Sequence, residues 1–205
     1  MTEPIPESAA RIEAIRRDLD SLYQFARRME HNLQHEIREL KQPPADRDRP
    51  AADDGVWKLS DRLPYLYRGS ALLTILGFFE HNLNAVCESL RKEHGVTTGI
   101  TDLPGRGLRR SKLYITKHIG LPFPSDSESW GLVLKYADIR NLIAHRDSLV
   151  KDDDPELIRF IEADPHLSID ETRRVRLHEG ALIELLDHLH RFFQALSESI
   201  RGAPT

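Results

Sequence analysis

Between residues 64 and 92 the chain places large apolar side chains at Leu72, Ile75, Leu76, Phe79, Leu83, Val86, Cys87 and Leu90. Steps of three and four residues put them on one face of an α-helix, which Leu73 and Phe78 widen. Gly95 supplies a stop. So broad a stripe needs apolar neighbours on more than one side, which marks a central helix of a bundle. The remaining sequence must then provide further amphipathic helices to cover it.

Several stretches meet that need. Ile12, Ile15, Leu19, Leu22, Ala26, Met29 and Leu33 follow a heptad-like seam, predicting a long N-terminal helix to about Lys41 with Ser8 placed to cap it. Leu182, Leu185, Leu186, Leu189, Phe193, Leu196 and Ile200 predict a final helix over about 178–200. A shorter helix is expected over 108–119, and another after Ser125 or Ser127, with Asp126 and Glu128 suited to its first turn. Glu156 to Ile161 reads as a short helical turn. Residues 167–169 and 175–177 alternate like two short strands, predicting a small hairpin within 167–177. The expected fold class is all-α: a bundle of four to five helices with one hairpin.

The segment 43–60 breaks this pattern. It opens on Pro43 and Pro44, holds Pro50 and many charges, and reads as a mobile loop between the N-terminal helix (1–42) and the bundle proper (64–200). At 205 residues the whole is expected to be one domain. The formal net charge of −4 gives no global attraction to nucleic acid, so any grip on RNA must be local. Basic residues cluster at Arg106, Arg109, Arg110, Lys112 and Lys117, and again at Arg173, Arg174 and Arg176. The single cysteine, Cys87, falls on the apolar stripe and cannot form an intrachain disulfide, which fits a reducing cytoplasm. No secretory signal and no membrane-length apolar run is evident.

The helix beginning near Ser125 ends in Arg140-Asn141-Leu142-Ile143-Ala144-His145. A guanidinium binds phosphate oxygens through paired hydrogen bonds, and an imidazole exchanges protons near neutral pH. At ~100° per residue Asn141 and His145 share a helix face, while Arg140 and His145 stand ~140° apart. The set must therefore be completed at the helix end or by a symmetric partner.

This R-N-x-x-x-H pattern, on a helix followed by a polar loop and a long amphipathic helix, resembles the Rx4-6H signature of the HEPN superfamily over about residues 64–200. The resemblance implies a helical bundle and a metal-independent endoribonuclease with no cofactor. RNA would be cut by attack of its own 2′-hydroxyl on the adjacent phosphate, leaving a 2′,3′-cyclic phosphate and a 5′-hydroxyl. His145 would be general base or acid, Arg140 would stabilise phosphoryl charge, and Asn141 would position the phosphate or orient the imidazole. Glu80, an acid amid apolar neighbours, is a weaker candidate for orienting Arg140. Arg106, Arg109, Arg110 and Lys112 would contact RNA. The family further implies a homodimer and a role as toxin or phage-defence effector with a neutralising partner. Some members are instead non-catalytic modules that bind RNA or scaffold assemblies.

Rival chemistry is thin. His31 and His35, with Glu36, have the i, i+4 spacing of two metal ligands, but no H-E-x-x-H pattern or cysteine cluster supports them. His188 and His190 read as surface residues. Cys87 has no evident activating cation.

Overall fold

The chain is mostly helical in the computed structural model, which describes residues 5–41, 54–151 and 153–202, with backbone alone at 40–41 and 54–60. The helices are α1 (Glu7–Lys41), α2 (Asp54–Glu93), α3 (Gly107–Leu113), α4 (Glu128–His145), α5 (Pro155–Ala163) and α6 (Ala181–Arg201). Strands β1 (Leu167–Ile169) and β2 (Val175–Leu177) pair antiparallel, Ser168 opposite Arg176. The all-α expectation and the hairpin agree with this arrangement. Among the described residues no helix is long and apolar enough to cross a membrane.

Boundaries depart from expectation in three places. Residues 54–60, expected as the end of a loop, are helical, so α2 starts well before Pro64 and carries that proline inside it. Proline is favoured in a helix's first turn, which made residue 64 look like a start. The remainder of the expected loop, 43–53, lies outside the described residues. The helix expected over 108–119 changes character: α3 gives way to a π-helical stretch, Tyr114–Ile119, ended by Gly120 at φ 81°. Tyr114 and Ile115 are both fully buried there, and the Tyr114 hydroxyl donates to the Thr98 carbonyl at 2.6 Å. Ser8 lies inside α1 rather than capping it: its N–H and hydroxyl both donate to the Glu93 carboxylate, at 2.6 and 2.7 Å.

Gly95 stops α2 as the pattern predicts. With φ at 61°, it lets its own N–H reach the Lys92 carbonyl (3.3 Å) and the Val96 N–H reach Arg91 (3.0 Å). This is a Schellman closure.

Two compact units divide the chain, one of Met1–Leu22, Thr74–Ala137 and Leu185–Thr205, the other of Tyr23–Leu73 and Asp138–Glu184. In the first, Phe79 meets the edges of Phe192 and Phe193 at 5.3 and 5.4 Å, and Trp130 stacks on Phe192 at 5.3 Å. Ile12, Ile15 and Leu19 are buried, as are the α2 residues from Leu76 to Leu90 on the predicted stripe. Each such side chain contributes about 1.5–3 kcal/mol by leaving water. Cys87 is fully buried, and desolvation pushes its thiol up to about 12. His188 is buried too, sharing a 3.1 Å hydrogen bond with the Ser129 hydroxyl, which corrects the surface assignment.

The second unit is built around an ion pair. Arg68, 6 % exposed, pairs with Glu30 of α1 and donates from Nη1 to the Leu177 carbonyl at 3.2 Å. Removing either member would leave a poorly solvated charge, a loss of about 3–5 kcal/mol in comparable sites.

Candidate functional site

Local sequence explains why α4 starts and ends where it does. The Ser127 hydroxyl accepts from the Trp130 N–H at 3.2 Å and donates to the Pro124 carbonyl at 2.8 Å, so Ser127 is the cap. Trp130, Val133, Tyr136 and Ile139 are buried along the helix. At its far end the exposed residues are Asn141, Ala144 and His145, with Leu142 buried behind them. His145 is the last residue of α4, so the motif ends at the helix terminus. Arg140 is half-buried. Asn141 and His145 thus share an open face beside the small Ala144, as the spacing predicts.

After His145 the chain turns sharply. The Leu142 carbonyl accepts from the N–H groups of Arg146 (2.9 Å) and Ser148 (3.0 Å), closing the turn behind the motif. Asp147 and Ser148 have φ of 49° and 62°, in the left-handed region. Each such non-glycine residue costs on the order of 1–3 kcal/mol and persists only where its surroundings impose it. Short polar side chains tolerate that region best, which suits aspartate and less so serine. The chain then runs beside the hairpin: the Val150 N–H donates to the Arg173 carbonyl (2.9 Å), and the Val175 N–H to the Ser148 carbonyl (3.0 Å). Within the stretch 146–155, which reads in sequence as a loop, Leu149 forms a single antiparallel bridge to Arg174 of the hairpin.

The hairpin turn is organised by Asp170. Its carboxylate accepts from the Thr172 N–H (2.8 Å) and hydroxyl (2.7 Å), the Arg174 N–H (3.0 Å) and Arg176 Nε (2.7 Å). Desolvation opposes its charge, but those hydrogen bonds outweigh it and hold the carboxyl well below the ordinary aspartate value. Arg176 also lies 4.6 Å over the Tyr65 ring. Two members of the expected basic cluster of Arg173, Arg174 and Arg176 already have acidic partners: Arg174 pairs with Asp147 at 2.7 Å and Arg176 with Asp170 at 2.7 Å.

A cleft of about 640 Å³ opens in this unit, lined in part by Asp61, Tyr65, Arg68, Asp170, Glu171 and Arg176. Its lining includes three carboxylates beside two guanidiniums that already pair with Glu30 and Asp170, so its charge does not favour a phosphate. His178 also lines it, its Nε2 sharing a 2.7 Å hydrogen bond with Ser168; desolvation, then the charge of Arg68, lowers the imidazole from its ordinary value.

Glu80, Arg106, Arg109, Arg110 and Lys112 belong to the first unit. Glu80 is half-buried, and a Cβ at Gly107 would lie 3.9 Å from its Oε1, which places the carboxylate at the start of α3. Arg106 and Arg109 are exposed and Lys112 half-buried. Arg110 is half-buried and donates to the Gly105 carbonyl at 3.4 Å. His31 and His35 are exposed, and among the described residues no three His, Cys, Asp or Glu side chains group to hold a metal ion.

Arg174 reads in sequence only as part of a basic cluster; its bond to Asp147, the Tyr65–Ser148 bond and the Arg68–Glu30 pair were not foreseen. One signal was available for Arg68: an arginine shortly before an apolar helical run needs a partner if it is buried. Comparison of the chain with protein-family models, with curated proteins and with solved structures gives no match.

Proposed function

We propose that this chain is a metal-independent endoribonuclease of HEPN type, acting through Arg140, Asn141 and His145. The observation that carries the reading is the open last turn of α4, where Asn141 and His145 are both exposed on one face and Arg140 directly precedes them. An RNA phosphate lying along that turn would meet an amide donor and an imidazole together. His145 would take the proton from the 2′-hydroxyl as the O2′–P bond forms and the P–O5′ bond breaks. Arg140 would offset negative charge gathering on the non-bridging oxygens, and Asn141 would hold the phosphate. No metal is required to make the nucleophile, because the substrate carries it.

The leaving 5′-oxygen needs a proton while His145 is accepting one. Solvent water can supply that proton, whereas Arg140 stands ~140° around the helix from His145; a second copy of the chain, related by a two-fold axis, would bring its Arg140 to the phosphate that His145 serves, so the reading includes a homodimer. Its setting would be the cytoplasm, as a toxin or phage-defence effector restrained by a neutralising protein. The exposed Arg106 and Arg109 would contribute a sequence-independent grip on the RNA backbone.

Incubation of the full chain with mixed RNAs in EDTA, followed by end-group analysis, tests this. Cleavage leaving 2′,3′-cyclic phosphate and 5′-hydroxyl ends is expected. Arg140→Ala and His145→Ala should each lower it by about 100-fold or more without loss of fold, a size typical of acid–base and charge-stabilising groups. The half-burial of Arg140 favours one rival, a non-catalytic HEPN module that binds RNA or scaffolds a complex. Retained RNA binding with no cleavage by the wild type would establish it instead.

A further inference from the structure

Among the described residues the non-glycine positions with positive φ are Asp147, Ser148 and Arg173, at 49°, 62° and 64°. All of them meet where the turn after α4 runs beside the hairpin: Ser148 and Val150 bond with Val175 and Arg173, and Leu149 bridges to Arg174. Strain concentrated in one place must be imposed by its surroundings, and two side-chain locks impose it. Arg174 grips Asp147, with Nη2 donating to Oδ2 at 2.7 Å and Nε lying 3.2 Å from both Oδ2 and the Asp147 carbonyl. Tyr65 holds Ser148: their hydroxyls share a 2.8 Å hydrogen bond, and Ser148 is wholly buried. The Tyr65 ring is in turn pinned beneath Arg176, which Asp170 orients.

The held turn begins immediately after His145 and returns to the Leu142 carbonyl within the motif. Asp147 is largely exposed, with 77 % of its side chain open to solvent, so its ion pair with Arg174 adds little to global stability. What the pair controls is local geometry.

We propose that Arg174 and Tyr65 are positioning residues for His145, locking the strained Asp147–Ser148 turn so that the last turn of α4 presents the imidazole in one fixed place. This rests on the reading of His145 as the proton-transfer group, yet its position can be measured without any activity. Neither lock touches the reacting atoms, so their removal should lower turnover rather than substrate affinity.

The test uses the full chain with Arg174→Ala, Arg174→Lys and Tyr65→Phe, following His145 ring signals by NMR, thermal unfolding, and RNA cleavage. Arg174→Ala and Tyr65→Phe are expected to shift the His145 signals and to lower kcat by about 10- to 100-fold with KM nearly constant, as a misplacement near 1 Å does. Arg174→Lys, which keeps the charge, should recover most of both. Should Arg174→Ala fail to fold, Tyr65→Phe, which loses one oxygen, decides the matter. Unchanged His145 signals and kcat in a wild type that cleaves would overturn the assignment. So would a raised KM at constant kcat, which would make Arg174 an RNA contact. If the wild type cuts no RNA, the nuclease reading fails alone: a shift of the His145 signals then still supports the lock, and no shift overturns it.

Discussion

Asp170 gathers the Thr172 hydroxyl and N–H, the Arg174 N–H and the Arg176 guanidinium onto one carboxylate whose side chain is 19 % exposed. Its folded-state affinity for a proton is lowered, so the unfolded chain binds the proton more readily. The resulting stabilisation is fully present above the unfolded aspartate value of ~3.9 and is lost as pH falls below it. Asp170→Asn should therefore cost about 1–3 kcal/mol at neutral pH, the scale of a charge-assisted hydrogen bond, and the gap from wild type should close below about pH 4. Denaturant unfolding measured across pH checks this; a gap constant with pH would mean that the charge is not what Asp170 contributes. None of these bonds has a periodic trace in the sequence, and Asp170 reads there only as a turn residue.

At the level of elements, amphipathic stripes were legible because burial repeats with the helix. The stripe of α2 is buried from Leu72 to Leu90, and the alternation at 167–169 and 175–177 gave the strands to the residue. The last turn of α4 was legible for the same reason, since sharing a face is a matter of angle. The lock behind it was not: Arg174 and Asp147 are 27 residues apart, and Tyr65 and Ser148 83 apart. Pairings at that separation follow from packing rather than from local pattern. The N-terminal cap of α4 lies between these cases, since Ser127 stood as one of two candidates. Ser127→Ala should remove its bond to the Trp130 N–H and destabilise the chain by about 0.5–2 kcal/mol. A Ser125→Ala control should change stability by less, and equal losses from the two variants would reassign the cap.

For the molecule as a whole, the question is whether one chain suffices for the proposed chemistry. On the two-fold reading, Arg140 and His145 of different copies serve one phosphate. Mixing inactive Arg140→Ala and His145→Ala proteins under subunit exchange should then restore cleavage, because each mixed dimer holds one intact pairing. Equal mixing gives about half mixed dimers, each with half its sites intact, so roughly a quarter of wild-type activity is the expected ceiling. No recovery, with exchange verified by native mass spectrometry, would place the working set within a single chain.

The pairing of the motif's turn with the hairpin also sets an order of events during synthesis. Residues 140–148 are synthesised before Arg174, and the 27 residues separating Asp147 from its partner take about 1–5 s to add. Over that interval the nascent chain carries the histidine without the groups proposed to aim it. On the nuclease reading, the proposed arrangement would therefore not exist until the hairpin had folded beside the turn.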